Sequence, residues 1–199
     1  MSELLRGWKL AGLLAAILVG SALAIVATHN DSVEGVRLVV RITARTSLLL
    51  FALAFTASAM IRLWPGSFTR WQRTNRRQLG VSFAVSHIVH AVALIALASL
   101  DRALFFSLTN PVSLATGGLA YVFIIAMATT SFDRTAAMLS PRAWRLLHMA
   151  GAWYIWISFV VAYGKRLPLS AFYWPFFAIV IAMLVARLAA RYMPRRASA

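Results

Sequence analysis

The chain has 199 residues, 61% of them apolar and 13% charged, with 20 basic residues against 5 acidic ones for a formal net charge of +15. An ordinary soluble domain is about 45–50% apolar, so a soluble fold of this length would leave much of its apolar surface in water. The absence of cysteine excludes a disulfide scaffold. Basic residues that fall between apolar runs, rather than on one patch, argue against a nucleic-acid partner and for a chain that crosses a membrane.

Six apolar runs follow one another: Trp8–Ala27, Thr43–Ile61, Leu79–Leu100, Val112–Phe132, Pro141–Tyr163 and Leu169–Met193. Each approaches the ~20 residues that a helix needs to span hydrocarbon, and none alternates as a membrane strand does. The first run has a basic start and small residues at Ser21–Ala24, as a cleaved leader would, but its apolar stretch is long for one and it reads as a span. The expected fold is therefore all-α, a polytopic six-helix transmembrane bundle forming a single domain over residues 1–199. With the N-terminus in the cytoplasm, 14 Lys and Arg residues fall on that side and 6 on the other, which puts both termini inside. In the last run, Arg187 and Arg191 are expected to snorkel to the interface. Arg45, inside the second run, has no evident partner.

Between the second and third runs, Arg62–Gln78 is the longest polar stretch and reads as a basic loop with Trp64, Phe68 and Trp71 interleaved. That composition suits anionic headgroups or the docking of a cytoplasmic electron donor. The tail Pro194–Ala199 is short, and no glycine-rich phosphate loop, repeat or nucleotide-binding unit is present.

No Asp or Glu falls within the apolar runs, which speaks against a proton pump or proton-coupled transporter. The runs hold histidines instead: His87 and His90 on the third and His148 on the fifth, whereas His29 reads as interfacial. An imidazole in hydrocarbon needs a hydrogen bond to a neighbouring helix or a metal. The third and fifth runs cross in the same direction. His90 lies 13 residues beyond Arg77, and His148 lies 7 beyond Pro141, where Ser140-Pro141 reads as an N-cap and first turn. Counted that way, the two histidines differ in depth by a helical turn or two and can meet across the bundle. Small neighbours (Ser86 and Ala93 beside His90, Gly151 and Ala152 beside His148) fit a flat macrocycle between helices, or close helix packing. A site for copper or zinc built from His87, His90 and His148 is a further reading, without a carboxylate or thiolate to support it.

The run RRQLGVSFAVSHIVH, Arg76–His90, resembles the third span of the ferric-reductase-like transmembrane family, in which a haem-ligand histidine follows a Leu-Gly by ten residues, as His90 follows Gly80. SPRAWRLLH, Ser140–His148, resembles the entry to the family's fifth span, whose Leu-His also binds haem, and Thr130-Ser131 matches a Thr-Ser often found at the end of the fourth. The resemblance covers about residues 40–190, and the nearest subgroup looks like the small haem-binding membrane subunit of the periplasmic methionine-sulfoxide reductase system.

The resemblance implies one haem b with His90 and His148 as axial ligands of its iron. His87 is then a core histidine or an alternative ligand, and Arg145 a propionate partner or a plain positive-inside anchor. The family's second pair would fall at Val161 and at Ala103 or Leu104, so that pair is expected to be missing. The function so implied is that of a b-type cytochrome subunit in a bacterial inner membrane. It would pass electrons from a quinol or a separate flavoprotein to a partner oxidoreductase, as an electron-transfer subunit rather than a complete enzyme. The competing expectation is a haem-free scaffold or accessory subunit that keeps the family fold.

Overall fold

Backbone N–H and C=O groups in hydrocarbon must be satisfied within their own segment, so each apolar run closes into a helix. The computed structural model describes residues 3–193; the tail Pro194–Ala199, with Arg195 and Arg196, lies outside the described residues. Among these there is no strand, and six helices are long and apolar enough to cross a membrane. The all-helical, six-span expectation therefore holds.

The first spanning helix, α1 (Gly7–Thr28), buries only Leu10, Ala11 and Leu18 and leaves most of its surface free for lipid. It starts at Gly7, which has φ +57° and donates its N–H to Asn75 Oδ1 at 2.8 Å. A side chain at Gly7 would be strained by that backbone angle. The second, α2 (Ser32–Leu63), opens with Asp31 accepting from the N–H groups of Val33 and Glu34. It begins eleven residues before the expected Thr43. Glu34 accepts from Arg37 at 2.7 Å and from Arg41 at 2.8 Å, so these charges are carried on the helix surface and do not end it. At 32 residues α2 is about 48 Å long, well over the ~30 Å of hydrocarbon.

The stretch Arg62–Gln78 is not the loop expected from its polarity. It folds into α3 (Ser67–Thr74) and the first turn of α4 (Arg76–Leu100). Thr69 Oγ1 accepts from the Gly66 N–H and donates to Trp64 O, closing the turn into α3. The buried Gln72 donates to Leu53 O of α2 at 2.8 Å, and the buried Asn75 donates to Trp71 O. These bonds satisfy the two buried amide N–H2 groups, which would otherwise lie unpaired away from water.

The chain continues through a short α5 (Arg102–Leu108), α6 (Pro111–Thr129), a single turn α7 (Asp133–Ala136), α8 (Pro141–Gly164), a 3-10 turn at Ala171–Tyr173 and α9 (Trp174–Tyr192). Asn110 caps α6, and Ser140 caps α8 ahead of Pro141, as its sequence predicts. Leu5 O accepts from Trp71, Met193 O accepts from Arg62, and Arg77 pairs with Asp133. The two ends of the described chain thus share one end of the bundle, called here the terminal end.

The long helix α2 is the hub: it packs on α4 along most of its length and also touches α1, α3 and α9, while α8 packs on α6 and α9. The apolar core lies along this hub, with Leu48, Phe51, Leu79, Phe83, Ile155 and Phe159 among its buried members. The α2–α4 seam is polar at its centre. Ser86 Oγ bonds Thr46 Oγ1 and Ser47 Oγ, both at 2.9 Å, and donates to Thr43 O. Small hydroxylated residues let the two backbones approach closely while satisfying one another.

Candidate functional site

One turn of α4 carries His87 and His90, with ring centroids 5.6 Å apart. His90 Nδ1 lies 3.1 Å from Val40 O and 3.0 Å from Thr43 Oγ1 on α2. A carbonyl only accepts, so Nδ1 carries the proton in that bond. Thr43 in turn sends its own proton to Val39 O at 2.6 Å. The Nε2 lone pair of His90 is thereby left available, the arrangement in which a histidine serves as a metal ligand. His87 points elsewhere, into a cage of rings formed by Phe83, Tyr121 and Phe159, at 5.0, 5.3 and 6.2 Å between centroids. Its Nδ1 is buried with no hydrogen-bond partner. Between α4 and α8 the bundle is bridged by these rings.

His148 belongs to a different environment. Its ring stacks on Trp144 at 4.1 Å, and its Nε2 lies 3.1 Å from Thr130 Oγ1. Thr130 donates its hydroxyl proton to Ala126 O at 2.6 Å, so the imidazole is the donor of the shared bond. Trp144 Nε1 adds a bond to Thr130 O. Thr130, singled out in the sequence only as part of a Thr-Ser pair, is the anchor of this cluster.

Cross-helix contacts fix the register of α8 against α4. Phe51 packs on both Phe83 and Phe159, at 5.2 and 5.5 Å, which sets Phe159 level with the Phe83–His87 turn. His148 lies eleven residues back along α8, about 16 Å nearer the terminal end. The contacts of α6 agree: Tyr121 donates to His87 O at 3.1 Å, and Thr130, the partner of His148, is nine residues further on, about 14 Å. His90 is one turn beyond His87 on the far side, so His90 and His148 stand about 20 Å apart along the bundle axis. The structure brings His87 and His90 together and does not bring His148 to either. Counting depth from Arg77 and Pro141 treats the two helix starts as level. They are not: α8 begins about 10 Å nearer the terminal end than α4.

The small residues face other helices. Ser86 is part of the α2 seam, and Ala93 is buried in an apolar cluster with Val36 and Val39 of α2. Gly151 faces α6, where an added Cβ would lie 2.8 Å from Met127 Sδ and 3.1 Å from Phe123. Of the two expectations for these positions, close helix packing is the one observed. Arg145 is exposed and, among the described residues, makes no hydrogen bond or ion pair. Val161 is 59% exposed and turned to the outside of the bundle, while Ala103 and Leu104 lie in α5.

Two arginines have roles that hydropathy did not reveal. Arg187 does not snorkel. It turns inward, donating to Phe55 O at 3.0 Å with its guanidinium 4.2 Å from the Phe55 ring and 5.1 Å from that of Trp153. Arg45 lies 4.7 Å from the ring of Phe172 and 5.6 Å from that of Phe176. Both are cation–π placements, which no local pattern foretells because the rings come from distant helices.

His90 fits a role as one axial ligand of a haem iron, since its Nδ1 is held and its Nε2 is available. A single iron clamped between His90 and His148 does not fit, because its two axial nitrogens cannot be about 20 Å apart. Among the described residues no three of His, Cys, Asp and Glu gather into a metal-binding group, so His87, His90 and His148 do not form a copper or zinc site.

No curated protein and no solved structure matches the chain. The family described as ferric reductase like transmembrane component matches over residues 42–159, a stretch running from α2 into α8 that includes all three intramembrane histidines and more than half of the chain. The chain is a member of the ferric reductase like transmembrane component family.

Proposed function

We propose that this protein is a b-type cytochrome subunit that carries electrons within a membrane redox system, with His90 as a ligand of the haem iron. The observation that carries the proposal is the state of His90: Nδ1 fixed by Val40 O and Thr43, and Nε2 left free in an apolar interior of the matching family. A haem b held there supplies reversible one-electron storage. The chain's own residues orient the ligand and keep water away. Val40 and Thr43 fix the tautomer and plane of His90, and the rings of Phe83, Tyr121 and Phe159 around His87 line the adjoining space.

An external donor, a quinol or a flavoprotein, and a separate partner oxidoreductase complete the proposal, in keeping with a family domain that here consists of membrane-spanning helices. The excess of basic residues on one side supports cytoplasmic termini in a bacterial inner membrane. Within the family, the reading is closest to the haem-binding subunit of the methionine-sulfoxide reductase system. His148 and Arg145, near the terminal end, then belong to the side from which a cytoplasmic donor approaches.

The test is a reduced-minus-oxidised optical spectrum of the purified protein with a pyridine haemochrome assay. The expected result is haem b, lost in His90→Ala. No haem b after expression with ample haem supply would refute the proposal.

A haem-free scaffold is the second reading, favoured by the filling of the Gly151 face by Met127 and Phe123 and by the commitment of His148 to Thr130. A colourless, stable complex with another membrane protein would support it.

A further inference from the structure

We propose that Arg73 of α3 and Arg76 of α4 hold, together with Ser58 of α2, the phosphate of an anionic phospholipid headgroup in the leaflet at the terminal end of the bundle. This site is independent of the haem reading above.

Ser58 lies on the exposed side of α2, a little over one turn before that helix ends at Leu63. The bond from Gln72 to Leu53 O seats α3 against α2 and brings the basic stretch over this hydroxyl. Ser58 Oγ accepts from Arg73 Nη1 at 2.5 Å and from Arg76 Nη1 at 3.4 Å, so the two nitrogens stand no more than about 6 Å apart. Like charges repel at that separation, and one neutral oxygen offsets little of the cost. Elsewhere, cations drawn together have an acid to share: Arg37 and Arg41 meet on Glu34, and Arg77 has Asp133. Among the described residues no carboxylate pairs with Arg73 or Arg76; Asp31, Glu34 and Asp101 stand at the opposite ends of α2 and α4. Arg187 of α9 lies within electrostatic range of Arg76 and is itself committed to Phe55 O and two rings, so it adds positive charge and no acceptor.

The cluster is a set of donors. Two guanidinium groups converge on Ser58, and the hydroxyl proton of Ser58 is committed to no acceptor among the described residues. An anion with several oxygens completes such a set. Phosphate oxygens accept from guanidinium N–H groups at about 2.7–2.9 Å, and one phosphate bridges two nitrogens at this spacing. The position of the cluster selects a lipid over a free ion. Ser58 belongs to a helix long and apolar enough to span, and its exposed side is lipid-facing near the helix end. Trp64 and Phe68, 62% and 55% exposed, flank the start of α3 at the same end, as aromatic side chains do at a membrane interface. Basic pockets between helices at this depth suit anionic headgroups.

The experiment titrates the purified full chain in a neutral detergent with phosphatidylglycerol, phosphatidylcholine or inorganic phosphate, and counts bound lipid by native mass spectrometry. Phosphatidylglycerol is expected to bind at least about tenfold tighter than phosphatidylcholine and to resist displacement by millimolar inorganic phosphate. Arg73→Gln with Arg76→Gln is expected to weaken phosphatidylglycerol binding about tenfold. Arg134→Gln with Arg142→Gln removes the same charge from exposed positions at the same end and is expected to change binding less than about twofold. Ser58→Asp supplies a carboxylate between the two arginines. It is expected to weaken phosphatidylglycerol binding by a similar factor while raising the melting temperature of the lipid-free protein. Equal affinity for the two lipids, an equal loss in the Arg134 and Arg142 variant, full displacement by inorganic phosphate, or lipid binding by Ser58→Asp at the wild-type level would each overturn the proposal.

Discussion

Ser86→Ala tests the polar seam that positions the histidine-bearing helix. Ser86 is fully buried on α4, and its hydroxyl meets Thr46 and Ser47 of α2, both at 2.9 Å. Thr46 keeps a second bond, to Thr43 O, when Ser86 is truncated, but Ser47 has no other hydrogen bond and is itself fully buried. Interhelical hydrogen bonds in membrane proteins average about 0.6 kcal/mol, so two of them contribute about 1.2 kcal/mol. The orphaned Ser47 hydroxyl adds about 1 kcal/mol of unmet polarity. The single variant is therefore expected to lose about 2 kcal/mol. Ser47→Ala alone leaves Ser86 satisfied by Thr46 and Thr43 O, and is expected to lose less than half of that. The double variant removes both partners and the orphan with them, and the bond they share is lost only once, so it is expected to be less destabilised than the sum of the singles by about 1.5 kcal/mol. Reversible unfolding by SDS in mixed micelles, followed by tryptophan fluorescence, measures all three. A loss below about 0.5 kcal/mol in Ser86→Ala, or strict additivity, would refute the seam as described.

Arg187→Leu removes the donor to Phe55 O and the cation above two rings; a loss of about 2 kcal/mol in the same assay is expected. Arg187→Lys should not restore it, because an ammonium lacks the planar fork, and full rescue would show that charge alone matters. Gly151→Leu drives a branched side chain into Met127 and Phe123 and is expected to cost about 2–3 kcal/mol. Gly151→Ala should cost much less, because the end of Met127 is flexible; equal effects of the two would argue against tight α6–α8 contact. The Arg77 guanidinium beside Asp133 holds this exposed carboxyl below its usual range, first through their hydrogen bond and then through charge. The pair is therefore fully present above about pH 3.9, the ordinary aspartate value, and fades as pH falls through the lower folded value. Asp133→Asn and the wild type should differ by a constant small amount between pH 5 and 8 and converge in strong acid, as paired melting curves would show; divergence in acid would reverse the sign of the argument.

Membrane residence, the number of spans and most helix ends were legible in the chain itself. Hydropathy is a local sum, and Ser140-Pro141 marks its helix start by local chemistry. Two boundaries misled for the same reason. The charges at Arg37 and Arg41 lower hydropathy without breaking a helix that Glu34 supports, and the polar Arg62–Gln78 stretch finds its partners on α1 and α2 rather than in water. The three histidines were also found by sequence, because imidazoles within apolar runs are conspicuous.

What no local pattern carries is which residues share a level. The depth of His148 against His90 depends on where α8 begins relative to α4, and that offset is set by distant contacts: Phe51 on Phe83 and Phe159, Tyr121 on His87, and Thr130 on His148. A run of apolar residues tolerates sliding along and rotation about its axis with little change in its contact with lipid. Only the packing of particular rings and hydroxyls between helices selects one register. The sequence alone determined that this chain crosses the membrane as six helices, two of which carry histidines. The tertiary structure decided that His90 turns to α2, that His87 turns to the rings of α6 and α8, and that His148 stands apart, because that choice depends on interhelical contacts.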